Sequence, residues 1–294
     1  FNRLSLEHAI GINPVSEEWT HLMHNILDKG NNVITGDYSK FGDTIPTEFV
    51  HAFFEIVIEW YRAHRTLLFE HEQQLKIMAH EISNSTHLMF DFLYKVICGQ
   101  PSGNSLTVII NSFANSLYVR MAWLAIMRFT KTNSLEDLHR HAKWYSYGDD
   151  LIVGVSDEIK DQFNALEMSK FFEKHGLKFT NADKGDSVIP YGNISTATFL
   201  KRGFVKHPVK KVPEIILAPL EQKSIEDTVN WVNKDGPSTL PDTQWFQDMS
   251  VQVCEDALRN AFCSGPEFYT EFRNKLVNFW QKRGVHFKAA TWSE

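Results

Sequence analysis

The sequence predicts an α+β fold, with a mixed part followed by a mainly helical part. Two strand-prone runs, residues 143–147 and 151–155, flank Gly148-Asp149 and read as a β-hairpin. The apolar run 32–37 reads as a further buried strand lying among helical segments. Past Pro219 the apolar spacing is that of helices.

In chain order, the strand 32–37 ends at Asp37. Pro46 stands where a helix can begin, with Thr44 as its cap. Phe49, Phe53, Ile56, Val57, Trp60 and Tyr61 mark that helix's apolar face. Alternation through Leu88, Phe90 and Phe92 predicts short strands within 83–99. Residues 108–126 have helical spacing and few charges, which predicts a buried helix. The hairpin follows. A helix then spans about 157–175, with Phe163, Leu166, Phe171 and Phe172 inward and Gly176 as its stop. Residues 197–200 and 203–205 read as short strands. Residues 243–262 place Trp245, Phe246, Met249, Val253, Leu258 and Phe262 on roughly one helical face. Gly265-Pro266 opens a last helix, 266–282. The pattern changes from mixed to helical near 205–213.

Totals bound the function. At 294 residues and 43% hydrophobic, the chain buries a sizeable core. A net charge of −6 argues against a simple electrostatic nucleic-acid binder. One stretch is locally basic: Lys201, Arg202, Lys206, Lys210 and Lys211 fall between Phe199 and Lys211 without an acidic residue. Cys98, Cys254 and Cys263 are scattered and odd in number, which suits reduced thiols. No stretch approaches the ~20 apolar residues of a membrane span. The chain starts at Phe1 without a signal-peptide pattern, so a processed product or an excised piece is expected.

Tyr147-Gly148-Asp149-Asp150 puts two adjacent carboxylates at the tip of a rigid hairpin. Carboxylates there can hold divalent ions against a phosphate. Asp37, at a strand end, can complete a site for two ions about 4 Å apart. Residues 100–105 form a turn-rich loop feeding the long helix, whose N-terminal N–H groups suit phosphate or ribose. Thr107 and Asn111 share a face of that helix. They either bond each other or read a sugar hydroxyl. Lys184, beyond Gly176, is either a solvated lysine or a proton donor to leaving pyrophosphate.

Taken in order, these residues resemble the palm motifs of the RNA-dependent RNA polymerases of picornavirus-like positive-strand RNA viruses. Among these, the chain is most similar to those of insect and other invertebrate viruses, dicistrovirus- or iflavirus-like. Residues 36–41 match the first metal motif, and 101–103 through Thr107 and Asn111 the nucleotide-selecting motif. Residues 147–150 match the second metal motif, 176–184 the next palm motif, and 199–202 the primer grip. The stretch 227–235 and the helices around Trp245 resemble the thumb, and 8–14 the start of the palm.

The resemblance implies a right-hand palm, an antiparallel sheet with flanking helices, in 1–82 and 98–205. It implies a fingers-derived insertion at 83–97, a helical thumb at 206–294, and most of the fingers missing. It further implies RNA-templated transfer of a nucleotide to a primer 3′-hydroxyl. Asp37 and Asp149 would hold Mg²⁺, or alternatively Mn²⁺, with Asp150 supporting, and Lys184 would protonate pyrophosphate. Ser102, Gly103, Thr107 and Asn111 would check the sugar, and Lys201 and Arg202 would grip the primer. The family's second Asp, five residues after the first, is here Gly42. Asp43 follows one residue late: either it reaches back through a flexible glycine, or Asn111 and Ser102 carry sugar selection. The implied partners are RNA template and primer, NTPs, a protein primer and other viral replication proteins. The implied location is the host cytoplasm, at membrane-associated replication complexes.

A reverse transcriptase shares the hairpin and metal scheme but normally has another residue where Gly148 stands. An inert polymerase-like fragment that binds RNA or protein is the reading from another class. His21 with His24, and His139 with His141, lack the cysteine pair of a zinc site. No phosphate-binding loop of the P-loop type is present.

Overall fold

The computed structural model describes residues 4–100, 102–181, 188–210, 213–232 and 244–294. By contacts the chain forms two units, Phe1–Gly11 with Asn25–Asn193, and Ile12–His24 with Ile194–Glu294. The division falls within the first helix, α1 (Glu17–Leu27).

Strand β1 (Asn32–Tyr38) runs one residue past Asp37. A single turn, α2 (Phe41–Thr44), follows. Thr44 ends this turn and caps nothing: its hydroxyl donates to the Phe41 carbonyl at 3.0 Å. Helix α3 (Thr47–Ala63) starts after Pro46, whose extended backbone serves as the cap. Its buried stripe is Val50, Phe54 and Ile58, with Phe49 and Phe53 partly covered. Ile56 and Trp60, expected inward, are more than half exposed. The helix carries apolar residues nearly all round, so the tertiary partner chooses the stripe.

Helix α4 (Phe69–Ser83) leads into the hairpin β2 (Thr86–Met89) and β3 (Phe92–Lys95). These expected strands form, but Leu88, Phe90, Phe92 and Leu93 face solvent. Helix α5 (Thr107–Ile126) is the buried helix that residues 108–126 predict. Helix α6 (Leu135–His141) opens with a capping box, Ser134 and Asp137 bonding each other's backbone N–H. Strands β4 (Ala142–Tyr147) and β5 (Asp150–Val155) form the predicted hairpin. Helix α7 (Ala165–Lys174) starts later than expected. Residues 157–163 are turns, and Asn164 caps the helix by accepting from the Glu167 N–H at 3.1 Å. Leu166 points outward. Strand β6 (Phe179–Asn181) follows.

The sheet of the first unit is antiparallel in the order β4-β5-β1-β6. Residues 4–9 cover the β4 edge: Ala9 N–H donates to Ser146 O at 2.9 Å and Ser146 N–H to Glu7 O at 3.0 Å. That caps a row of unpaired backbone groups. Ile34, Leu151 and Val153 of the sheet share one core with Ala114, Tyr118 and Trp123 of α5 and Met168 and Phe172 of α7. Burying side chains of this size contributes about 1.5–3 kcal/mol each.

In the second unit, 197–200 and 203–205 do not pair as the expected strands. Isolated bridges join Phe199 to Arg202 and Arg202 to Leu220. The ladder there is β7 (Val205–Lys206) with β8 (Ile216–Leu217). Helices α8 (Gln222–Thr228), α9 (Gln244–Phe262) and α10 (Pro266–Gln281) enclose a separate core. On α9 the buried positions are Cys254, Ala257, Leu258 and Ala261. Of the expected face only Leu258 is fully buried, because small residues allow α8 and α10 to approach closely.

Candidate active site

The Gly148-Asp149 turn joins β4 and β5 in a two-residue loop, with Tyr147 paired to Asp150. Gly148 adopts φ +64°, and Asp149 has no positive φ. Positive φ at the first turn position alone is the type II′ pattern, whose twist matches the strands. Register fixes what the turn faces. Gly36 of β1 pairs with Leu151, so Asp37 comes level with Asp150 one step on, beside Thr180 of β6. Asp37 and Asp150 are half-buried and Asp149 is exposed. Three aspartates thus stand at one end of one sheet.

Their oxygen donors are the hard type that suits Mg²⁺ or Mn²⁺. Among the described residues, however, no three His, Cys, Asp or Glu side chains are grouped as a ready metal cage. Like charges on neighbouring strands repel, and a cation between them would offset that repulsion.

Helix α5 holds the turn in place. Ser112 Oγ accepts from the Gly148 N–H at 2.8 Å and donates to Val108 O at 2.7 Å. Asn115 Nδ2 donates to Gly148 O at 3.2 Å and Asp149 O at 3.1 Å. On its other side, Asn115 Oδ1 accepts from the Tyr38 hydroxyl at 3.3 Å. Burial, aided by Tyr118, pushes the Tyr38 phenol well above its ordinary range, and burial pushes Tyr118 up to about 12. Neither Ser112 nor Asn115 was expected from the sequence. Their partners on the turn and on β1 lie 33 to 77 residues away, beyond any local signal.

Two buried acceptors lack partners among the described residues: Gln100 Oε1, in the loop before α5, and Asn111 Oδ1, on α5 itself. Gln100 Nε2 donates to Thr107 Oγ1 at 3.3 Å, one helical turn before Asn111. Buried acceptors are normally satisfied, so these two mark a place for donors such as hydroxyls. Gln100 is a further residue the sequence did not single out. Ser102 and Gly103 are exposed, and Asn104 Oδ1 turns the loop by accepting from the Leu106 N–H at 2.8 Å.

Gly42 is not the flexible link expected. A Cβ there would lie 2.9 Å from Gln100 O, and Gly42 O accepts from the Gln100 N–H at 2.7 Å. Backbone packs on backbone, which leaves no room for a side chain at this position. Asp43 stands exposed on α2. Lys184, Lys211, Pro101 and part of 227–235 lie outside the described residues.

In the second unit, Phe199 and Arg202 exchange backbone hydrogen bonds at 2.9 and 3.0 Å around Leu200 (φ +55°) and Lys201 (φ +59°). Two positive φ values make this a type I′ turn. It projects the exposed Lys201. Arg202 is turned inward, away from the grip expected of it. Its guanidinium donates to Ala218 O at 3.0 Å and Asn260 Oδ1 at 2.6 Å, and burial holds its pKa down.

An antiparallel sheet backed by helices, with carboxylates at a hairpin tip and a neighbouring strand end, defines a nucleic-acid polymerase palm. Residues 2–281 match the family model described as viral RNA-dependent RNA polymerase. The chain belongs to that family. It is 36% identical over 295 residues to a genome polyprotein of Deformed wing virus, covering 99% of this chain and 10% of the polyprotein. It is 31% identical over 239 residues to a replicase polyprotein of Acute bee paralysis virus, covering 78% of this chain and 12% of the polyprotein. The fold matches a solved Sicinivirus 3Dpol RNA dependent RNA polymerase at TM-score 0.70 and 23% identity, over 98% of this chain and 54% of that one. The chain therefore spans about a tenth of these polyproteins and just over half of that polymerase. The matches to insect-virus polyproteins bear out the picorna-like resemblance.

Proposed function

We propose that this chain is the palm (1–82 and 98–205), a fingers-derived insertion (83–97) and the thumb (206–294) of a longer polymerase. That polymerase joins nucleotides to a primer 3′-hydroxyl on an RNA template, for viral genome replication and transcription. The observation that carries the reading is the register bringing Asp37 level with the Asp149-Asp150 turn, within a family match that spans nearly the whole chain.

Asp37 and Asp149, with Asp150 supporting, would hold two Mg²⁺ ions. When bound, these supply charge neutralisation to the triphosphate and acidity to the primer hydroxyl. The chain's own residues do the rest by positioning, the main contribution in phosphoryl transfer. The orphaned acceptors Asn111 Oδ1 and Gln100 Oε1 receive sugar hydroxyls, with Thr107, Ser102 and Gly103 shaping the loop. Asp43 is too exposed to lead in this, and serves at most through the solvated nucleotide. Lys201 contacts the primer backbone without reading sequence. Lys184 donates a proton to the leaving pyrophosphate. RNA, NTPs, a protein primer and other viral replication proteins are the partners. The place of action is the host cytoplasm at membrane-associated replication complexes. Among the described residues no helix is long and apolar enough to cross a membrane.

Primer extension on an RNA template, using the longest natural chain that contains this segment, tests the reading. Wild type incorporates nucleotides and Asp149→Asn does not, with unchanged thermal unfolding. Equal incorporation by both would overturn the metal assignment. A folded but inactive wild type would favour the inert binding module.

A further inference from the structure

The buried carboxamide of Asn115 touches both the hairpin turn and the Asp37 strand. It is fully buried on α5, with Tyr38 on one side and three consecutive carbonyls, those of Gly148, Asp149 and Asp150, on the other. Its orientation follows from hydrogen-bond accounting. Carbonyl oxygens only accept, so the NH₂ must face the turn and Oδ1 must face Tyr38. Tyr38 must then donate. Its ring is enclosed among Phe41, Tyr118, Phe172 and Phe179, and its hydroxyl donates to Asn115 Oδ1 at 3.3 Å.

Tyr38 is the residue after Asp37, and the contacted carbonyls belong to the turn that carries Asp149 and Asp150. Fixing the Tyr38 side chain fixes the end of β1. Fixing the turn carbonyls fixes the peptide planes from which both hairpin carboxylates project. Ser112, one turn earlier on the same helix, holds the Gly148 N–H.

We infer that Asn115 is a positioning residue that sets the spacing between the Asp37 carboxylate and the hairpin carboxylates, through Tyr38 on one side and the turn carbonyls on the other. It touches no reacting atom. Its effect reaches the chemistry through the geometry of the metal-holding carboxylates, in the way outer partners orient ligands. The inference rests on the polymerase reading for its kinetic consequence, but its metal-binding consequence stands apart from turnover.

The test uses the longest natural chain containing this segment, with variants Asn115→Ala, Asn115→Asp and Tyr38→Phe. Mn²⁺ affinity without RNA is measured by electron paramagnetic resonance, alongside thermal midpoint, kcat and KM for NTP. Loss of an outer partner weakens metal affinity about 10-fold or more. Asn115→Ala and Tyr38→Phe should each do so and lower kcat, with KM for NTP changed less than about 2-fold. The Tyr38→Phe, Asn115→Ala pair should be no worse than the poorer single variant, since both break one connection. Asn115→Asp separates positioning from packing. It conserves volume but turns an oxygen toward three carbonyl oxygens. Positioning predicts weaker Mn²⁺ binding than in Asn115→Ala, and space filling predicts stronger. Unchanged Mn²⁺ affinity in folded Tyr38→Phe, or Asp better than Ala at 115, would overturn the inference. Inactive wild type with the expected Mn²⁺ pattern would sink the polymerase reading and leave this one standing.

Discussion

The Phe179 ring lies where a side chain on Gly36 would stand. A Cβ built on Gly36 meets two carbons of that ring at 2.2 Å. Gly36 is paired with Asn181 of β6 and immediately precedes Asp37. The glycine therefore lets β6 close against β1, with Phe179 filling the space and stacking edge-on to Tyr38 at 5.0 Å between centroids.

Gly36→Ala should destabilise the fold by about 1–3 kcal/mol, the usual cost of overpacking a filled core. Thermal unfolding measures it. Adding Phe179→Leu should recover part of the loss, because the two positions share one volume. An additive pair would place the strain elsewhere.

Asn111→Leu removes the orphaned Oδ1 while keeping the volume. The preference for ribo- over deoxynucleotides should fall about 3- to 10-fold, the worth of one neutral hydrogen bond. Stability without nucleotide should hold or rise, since a buried unpaired polar atom is gone. Competitive incorporation of NTP against dNTP reads the first, and thermal unfolding the second.

Glu7 is ion-paired to Arg120 at 2.6 Å and also bonded to Ser116. Burial pushes its carboxyl up, but the Arg120 and Ser116 hydrogen bonds outweigh burial and leave it below the ordinary value of 4.5. The folded state thus binds this proton less readily than the unfolded one. The contribution is complete above 4.5 and is lost as pH falls through the lower folded value. In Glu7→Gln, denaturation midpoints should fall less steeply with acid than in wild type. Parallel curves would remove Glu7 from the acid limb.

Arg202→Ala should cost about 1.5–3 kcal/mol, the range for hydrogen bonds from a charged group. Arg202→Lys should not restore it, because an ammonium cannot reach Ala218 O and Asn260 with the fork of a guanidinium. Lys201→Ala should leave stability within about 0.5 kcal/mol. It should instead reduce the salt dependence of RNA binding, read by titration at several ionic strengths.

How far the sequence disclosed this depends on the range of each contact. The 143–155 hairpin was legible because its turn chemistry and flanking strands are local. Asn164 and Ser134 were readable as caps too, each with an acidic residue three positions on; Asn164 marks a start that hydrophobic spacing alone misplaced, and Ser134 one that it did not register. The α3 stripe was not legible: Ile56 and Val50 are equally apolar, and only the packing partner separates them. Arg202 looks like a surface cation until Ala218 and Asn260 are folded onto it. Asn115 looks like a polar residue on a buried helix, and its meaning lies in Tyr38 and the hairpin turn, far along the chain.

Helix α5 carries Thr107 and Asn111 near its start, and Ser112 and Asn115 immediately after. Its first turns bear Asn111, proposed to receive a sugar hydroxyl, and also the groups that grip the turn of Asp149. A rigid rod with both sets cannot move one without the other. If the chain copies RNA as proposed, selection for copying accuracy and selection for copying speed would act on the same few ångströms of helix. Heritable changes in one trait through α5 would then carry changes in the other.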